Sequence, residues 1–258
     1  MSPLTPKEAH VWTLLVTEND QKNIHKFSHV LSAEELCRLD QINHKQSKLE
    51  YQAAHILCRI MLSNFSDVAP ADWLFKIGEH GKPEINKKLN RKNLRFNISH
   101  TNGMVACALT TKYDIGVDLE WPSRNSQMYK IAEKKFSDIE FNYFKASSPT
   151  EQSKIFFSLW TLKESYLKAV GKGLRIPLDS FSFDLNTLEI SFLDNNAFHN
   201  TGYWKFALFR PSVAHLCALC VAHPKNSPKK IKYQQVYWQD LAEHINANYT
   251  TKKIDSCL

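Results

Sequence analysis

The sequence predicts an α+β fold of two similar halves, each a long helix packed on a small antiparallel sheet. Three observations lead there. Two long, apolar-rich helical segments, 51–65 and 151–170, fall one in each half of the 258-residue chain. Each is followed by short strand-like segments of apolar residues rather than by more helices. The order of elements repeats, and Cys107-Ala108-Leu109 recurs as Cys217-Ala218-Leu219. The expected division is an N-terminal half over 1–117, a C-terminal half over 118–225 and an extension over 226–258.

Residues 11–16 read as a strand. Ser32 followed by Glu35 has capping-box spacing, and Leu36, Leu39 and Ile42 then share a helical face. The helix over 51–65 is apolar almost all round. Its polar positions, Gln52, His55, Arg59 and Ser63, fall in one narrow stripe, as in a helix at the centre of a domain. Strands are expected over 73–77, 94–98, 104–110 and 115–120. Ser137 and Glu140 again have capping-box spacing. The second long helix is entered by Ser148-Pro149-Thr150-Glu151, with Pro at its first position and Glu at its third. Strands follow over 181–185, 188–192, 203–209 and 213–221. A polar, basic connector over 224–230, a short strand and an amphipathic helix around 238–245 finish the chain.

Composition is 43% hydrophobic and 23% charged, close to the globular average, which excludes wholesale disorder. The longest apolar run, 216–222, is far below the roughly 20 residues of a membrane span. The run 11–16 is too short for a signal-peptide core. A cytoplasmic protein is therefore expected. Six dispersed cysteines suit reduced thiols. His215, Cys217, Cys220 and His223 have metal-like spacing, but a strand would turn Cys217 and Cys220 to opposite faces, which argues against zinc. The net charge of +7 suits an anionic partner.

Glycine is scarce, seven residues in all, and six of them mark where the backbone is unusual. Gly78-Glu79-His80-Gly81-Lys82-Pro83 makes a rigid turn carrying a cation. Near it, Lys87, Lys88, Arg91, Lys92 and Arg95 read as a solvated basic loop. A strand over 94–98 ends in Ser99-His100, a pair able to donate hydrogen bonds to phosphate. In the strand 115–120, Gly116, Asp118 and Glu120 share a face. Two carboxylates so placed repel unless a cation sits between them, and Mg²⁺ is commonly held by such groups together with substrate phosphates. Glu164 and Lys168, four apart on the second helix, stack on one side. They read either as a surface ion pair or as a third oxygen ligand beside a phosphate-binding cation.

These segments resemble, in order and spacing, the motifs of the Sfp-type 4′-phosphopantetheinyl transferases. The matching residues are Gly81-Lys82-Pro83, Asn97-Ile98-Ser99-His100, Gly116-Val117-Asp118-Leu119-Glu120, and Trp160-Thr161-Leu162-Lys163-Glu164-Ser165-Tyr166-Leu167-Lys168. Gly171-Lys172-Gly173-Leu174 and Pro177-Leu178-Asp179-Ser180-Phe181 also fit. The resemblance implies two similar halves about a pseudo-twofold axis, with coenzyme A between them. It implies a holo-[acyl-carrier-protein] synthase type of enzyme, which moves the phosphopantetheine arm to a serine of an apo acyl or peptidyl carrier protein and releases adenosine 3′,5′-bisphosphate. Carried over by position, Asp118, Glu120 and Glu164 would hold Mg²⁺. Lys168 would contact the phosphates and assist the leaving group, and Ser99 and His100 would also bind phosphate. Gly81, Lys82 and Pro83 would line the adenine and 3′-phosphate pocket, and Glu140 would be the general base. Glu34 and Glu35 stand where the family often has basic residues for the 3′-phosphate, which leaves Arg38, Lys45 and Lys48 as open candidates. A monomer without nucleic-acid or membrane partners is expected. Two rival classes are weaker. A nucleic-acid binder needs a concentrated basic patch with interleaved aromatics, and another Mg²⁺-dependent phosphoryl or nucleotidyl transferase lacks the GxxxxGK[ST] loop here.

Overall fold

The structure, a computed structural model, describes residues 4–78, 81–122, 127–193, 202–223 and 230–245. Glu79, His80, Cys257 and most of the expected connector over 224–230 lie outside the described residues. In chain order the elements are β1 (Glu8–Leu15), α1 (Gln21–Phe27), α2 (Ala33–Leu39), α3 (Lys45–Asn64), β2 (Phe75–Ile77), β3 (Pro83–Ile85), β4 (Leu94–Thr101), β5 (Met104–Thr111) and β6 (Ile115–Glu120). There follow α4 (Met128–Lys135), α5 (Asp138–Ala146), α6 (Pro149–Val170), β7 (Phe181–Asp184), β8 (Glu189–Phe192), β9 (Trp204–Ser212), β10 (His215–Ala222) and β11 (Lys230–Gln235). Residues 238–245 are helical. No helix among the described residues is long and apolar enough to cross a membrane.

The α+β reading holds, with differences of detail. The first long helix starts at Lys45, not 51, because its opening turn, Lys45-Gln46-Ser47-Lys48, is polar and hides from an apolar pattern. The capping boxes at Ser32/Glu35, Ser137/Glu140 and Ser148/Glu151 all form. One sheet runs β11-β1-β5-β4 and a second runs β6-β10-β9. The first is mixed rather than antiparallel. Residues 230–235 come back beside β1 in parallel, Glu8 opposite Lys230, and Val236 and Leu241 join the core there. The expected boundary between 117 and 118 falls inside β6, the whole of which pairs with β10.

Apolar packing explains this arrangement. Helix α3 covers one face of the first sheet through Ile56, Leu57, Ile60 and Met61, against Trp12, Leu14, Cys107 and Leu109. Helix α6 covers the second sheet through Leu159, Leu162 and Tyr166, against Ala218 and Cys220. The remaining faces share a third cluster, in which Val11, Ala106 and Ala108 lie with Val117, Leu119, Cys217 and Leu219. Every residue of β5 is buried, which is why its sequence is a continuous apolar run rather than an alternating one. The tripeptide echo is out of phase. Cys107 belongs to the α3 side of its sheet, whereas Cys217 lies between the sheets. Cys217 and Cys220 do take opposite faces of β10.

Two kinds of contact join the sheets where β4 meets β6. Side chains replace a backbone ladder: Val117 N donates to Asn97 Oδ1 (2.9 Å) and Leu119 N donates to Ser99 Oγ (3.1 Å). On the far side β6 lies directly on α6 at Gly116. A Cβ there would stand 2.1 Å from Ser165 O and 2.4 Å from Ala169 N, both backbone atoms that cannot swing aside. Gly116→Ala must therefore push strand and helix apart. A loss of about 3 kcal/mol in urea unfolding is expected, at the upper end of overpacking costs. An unchanged midpoint would mean that the contact is looser than described.

Candidate active site

The junction of β4, β6 and α6 gathers the chemistry. Asp118 follows Gly116 by two on β6, and Lys168 immediately precedes Ala169 on α6, so the close packing at Gly116 brings the two side chains together. Lys168 Nζ donates to Asp118 Oδ1 (2.6 Å) and to Ser99 Oγ (3.0 Å). Ser99 Oγ in turn donates to Asp118 Oδ1 (3.4 Å). Asp118 is buried, and its other oxygen, Oδ2, has no hydrogen-bond partner. The pair is no exposed ion pair of the kind an i,i+4 reading would give; Lys168 turns to Asp118 of β6 and to Ser99 of β4.

Glu120 and Glu164 belong to the same field. Burial, then the neighbouring Asp118, raises Glu120 to about 7, with Glu164 adding to the rise while Lys168 and Trp160 oppose it. Burial and Asp118 also raise Glu164, against Lys168. Asp118 thus bears on both glutamates, and Lys168 opposes the rise at each.

Residues Ser99 and Lys168 lie at the edge of a cleft of about 720 Å³ walled by α2, α3 and β2, with Gly81 and Pro83 on its rim. A smaller cleft of about 280 Å³ adjoins it, sharing Gly81, Pro83 and Lys168 and adding Glu164, Asn97 and Gly173. His100 lines the large cleft; its Nδ1 lies 3.5 Å from Glu50 Oε2. Glu50 is buried, and burial pushes its carboxyl up, but hydrogen bonds from His100, Gly103 N and Gln46 outweigh this and hold it low. Of the open candidates, Arg38 is exposed and lines the large cleft, whereas Lys45 reaches Glu18 (3.5 Å).

Two expected roles meet a different geometry. Lys82 does not face the large cleft. Its ammonium donates to two backbone carbonyls, Ile115 O (3.0 Å) and Ala169 O (2.9 Å), and burial lowers it to about 8. Glu140 is fully enclosed. Its Oε2 accepts from Ser137 N (3.0 Å), Ser137 Oγ (3.0 Å) and Lys163 Nζ (2.8 Å), and its Oε1 accepts from Phe183 N (2.9 Å). Lys163 is itself buried and also donates to Leu178 O and Phe181 O. Glu140 lines neither cleft beside Lys168. The capping box forms, and four donors converge on the enclosed carboxylate, three of them on Oε2 and one on Oε1, which is the geometry of a helix cap.

The sequence also left a wall of the cleft unread. Arg59 Nε donates to Glu35 Oε2 (2.9 Å), and His55 Nδ1 donates to Glu35 Oε1 (2.7 Å). Arg59 continues to Pro70 O and Trp73 O, and its guanidinium lies over Phe75. Burial pushes Glu35 up, yet His55, the Ser32 backbone and Arg59 bring it down to about 2. The polar stripe on an otherwise apolar α3 was the available signal: a buried guanidinium needs a buried acid.

Comparison with known proteins bears on this site. The 4'-phosphopantetheinyl transferase Sfp of Bacillus subtilis is 31% identical over 207 residues, which cover 79% of this chain and 88% of that one. The chain belongs to the Sfp-type 4′-phosphopantetheinyl transferase family. The model of the 4'-phosphopantetheinyl transferase superfamily matches residues 114–220 of this transferase, from the start of β6 to β10. The 4'-phosphopantetheinyl transferase gsp of Aneurinibacillus migulanus is 31% identical over 182 residues, covering 70% of this chain and 73% of that one. The 4'-phosphopantetheinyl transferase HetI of Nostoc sp. is 28% identical over 171 residues, covering 66% and 72%.

In this transferase Glu140→Gln leaves a buried ammonium without its counter-charge. Breaking such a pair costs about 3–5 kcal/mol. Urea unfolding is expected to show a loss of that order, while turnover per folded molecule stays within about threefold of wild type. A variant of wild-type stability that turns over 10²-fold or more slowly, as loss of a general base would give, would restore the catalytic role.

Proposed function

We propose that this transferase moves the 4′-phosphopantetheine arm of coenzyme A to a serine of an apo acyl or peptidyl carrier protein, releasing adenosine 3′,5′-bisphosphate. The observation that carries this reading is the Asp118–Lys168–Ser99 cluster with Glu120 and Glu164, set between two adjoining clefts at the junction of the sheets. Its site is the mouth shared by those clefts. Ser99 and His100 would donate to phosphate oxygens, and Arg38 would meet an anionic group in the large cleft. Gly81 and Pro83 would wall the adenine end.

The fit of Mg²⁺ rests on the donors. Asp118, Glu120 and Glu164 are all hard oxygen ligands, Asp118 Oδ2 is buried and unpartnered, and burial, then the neighbouring Asp118, holds the other two carboxyls above their ordinary range. No three such groups among the described residues are already gathered as a metal cluster; Lys168 occupies Asp118 Oδ1 instead. These three residues would hold the ion, and when bound it would neutralise charge on the pyrophosphate. Lys168, released toward the phosphates, would stabilise the charge that grows on the bridging oxygen as the bond to the leaving group breaks.

The kinship of the two halves, a pseudo-twofold duplication, is supported by α3 backing the first sheet as α6 backs the second. The shared tripeptide does not support it, being out of phase. A cytoplasmic setting agrees with free cysteines at 37, 58, 107, 217 and 220.

Incubation with coenzyme A, Mg²⁺ and a panel of apo carrier proteins tests the reading. The expected result is a mass gain of one phosphopantetheine arm on at least one carrier. Lys168→Ala should lower that rate by about 10²-fold or more, far beyond the roughly 1 kcal/mol of an exposed ion pair. No gain on any carrier, or a Lys168→Ala rate near wild type, would contradict the assignment.

A further inference from the structure

The geometry points to Lys82 as a positioning residue for the transfer, a clamp that sets the spacing between β6 and α6 rather than a contact to the nucleotide. This rests on the functional reading above and departs from the role that the family resemblance implied for Lys82. Three observations carry it.

The first is what the ammonium touches. Among the described residues its hydrogen-bond acceptors are Ile115 O and Ala169 O, and neither is a side chain. Ile115 opens β6, three residues before Asp118, and Ala169 directly follows Lys168 on α6. One cation therefore ties the strand that carries Asp118 and Glu120 to the helix turn that carries Glu164 and Lys168.

The second is where those acceptors sit. Ala169 O is one of the last carbonyls of α6, which have no partner within the helix and lie at its negative end. The C-cap, Gly171, is left-handed at φ 72, and its N donates to Leu167 O, which ends the helix beside Lys82. A Cβ at Gly171 would come 3.1 Å from Lys82 Cδ, so the stem of the lysine is laid along the helix end. A cation placed there satisfies backbone groups that water would otherwise have to reach.

The third is the division of the turn itself. Gly81 and Pro83 line the large cleft, but Lys82 between them does not; it faces the smaller cleft, the α6 end and a further cleft of about 640 Å³ shared with Arg95 and Lys172. The turn thus presents backbone and ring to the cleft and sends its charge the other way. Together with Gly116, which fixes how near β6 comes to α6, Lys82 fixes how the two slide along each other.

Lys82→Met keeps the stem and removes the ammonium. With coenzyme A and carrier varied separately, kcat should fall at least tenfold while the KM for coenzyme A stays within about twofold. A tenfold rise in that KM at near-wild-type kcat would make Lys82 a nucleotide contact and overturn the clamp. Lower melting with both constants unchanged would overturn it too, since spacing would then not matter to the reaction. A measurement on the wild-type protein covers a variant that fails to fold. In per-residue labelling with an amine-reactive reagent, Lys82 of the free enzyme should react at least tenfold more slowly than exposed Lys88. Equal rates would show the ammonium free and the clamp absent. Labelling needs no turnover, so a failed transferase assay and a failed clamp remain distinguishable.

Discussion

The molecule depends on how closely β6 lies against α6. A strand and a helix can approach to this degree only where one of them has no side chain, and Gly116 supplies that place. From it follow the reach of Lys168 to Asp118 and the presence of Glu164 in the same field. The other edge of β6 is held not by a backbone ladder but by Asn97 and Ser99 of β4. β6 is thus a strand of one sheet fastened by side chains to the next, and the reactive groups stand where that fastening is made.

Such a junction is electrostatically unsatisfied. Asp118, Glu120 and Glu164 outnumber the one lysine that faces them, and the burial that brings them together makes each charge more costly. Among the described residues the other buried carboxylates have donors on both oxygens. Glu35 has Arg59 and His55, Glu50 has Gly103 N, Gln46 and His100, and Glu140 has Lys163 and three further donors. The contrast separates structural carboxylates from reactive ones better than exposure does, since Asp118 and Glu140 are both buried. A carboxylate with donors on both oxygens holds the fold. One with an orphaned oxygen or a proton affinity pushed upward awaits a cation or a proton.

Much of this was legible in the residues. Asp118 and Glu120 share a strand face because side chains alternate, and Glu164 and Lys168 share a helix side because they are four apart. Those two periodicities were enough to nominate the site. What they could not convey was which elements meet. Glu140 and Lys163 are 23 positions apart in sequence, and neither position reveals that they pair; without the pairing, a capping glutamate and a catalytic one look alike. The carbonyl acceptors of Lys82 were hidden for the same reason, since nothing local in a Gly-Lys-Pro turn tells that its ammonium meets Ile115 O and Ala169 O. The first sheet was expected to be antiparallel because its parallel partner, β11, comes from the far end of the chain, beyond the reach of any local pattern. The split of β6 from the half that precedes it was hidden likewise: pairing is a property of two strands, and sequence periodicity describes only one.

Anomalous diffraction from crystals grown with Mn²⁺ in place of Mg²⁺ and with coenzyme A tests the central claim most directly. The account predicts a single strong peak bounded by the carboxylates of Asp118, Glu120 and Glu164, with Lys168 turned from Asp118 toward the pyrophosphate. Bound coenzyme A with the metal elsewhere, or with Lys168 still seated on Asp118 and no metal beside it, would contradict it.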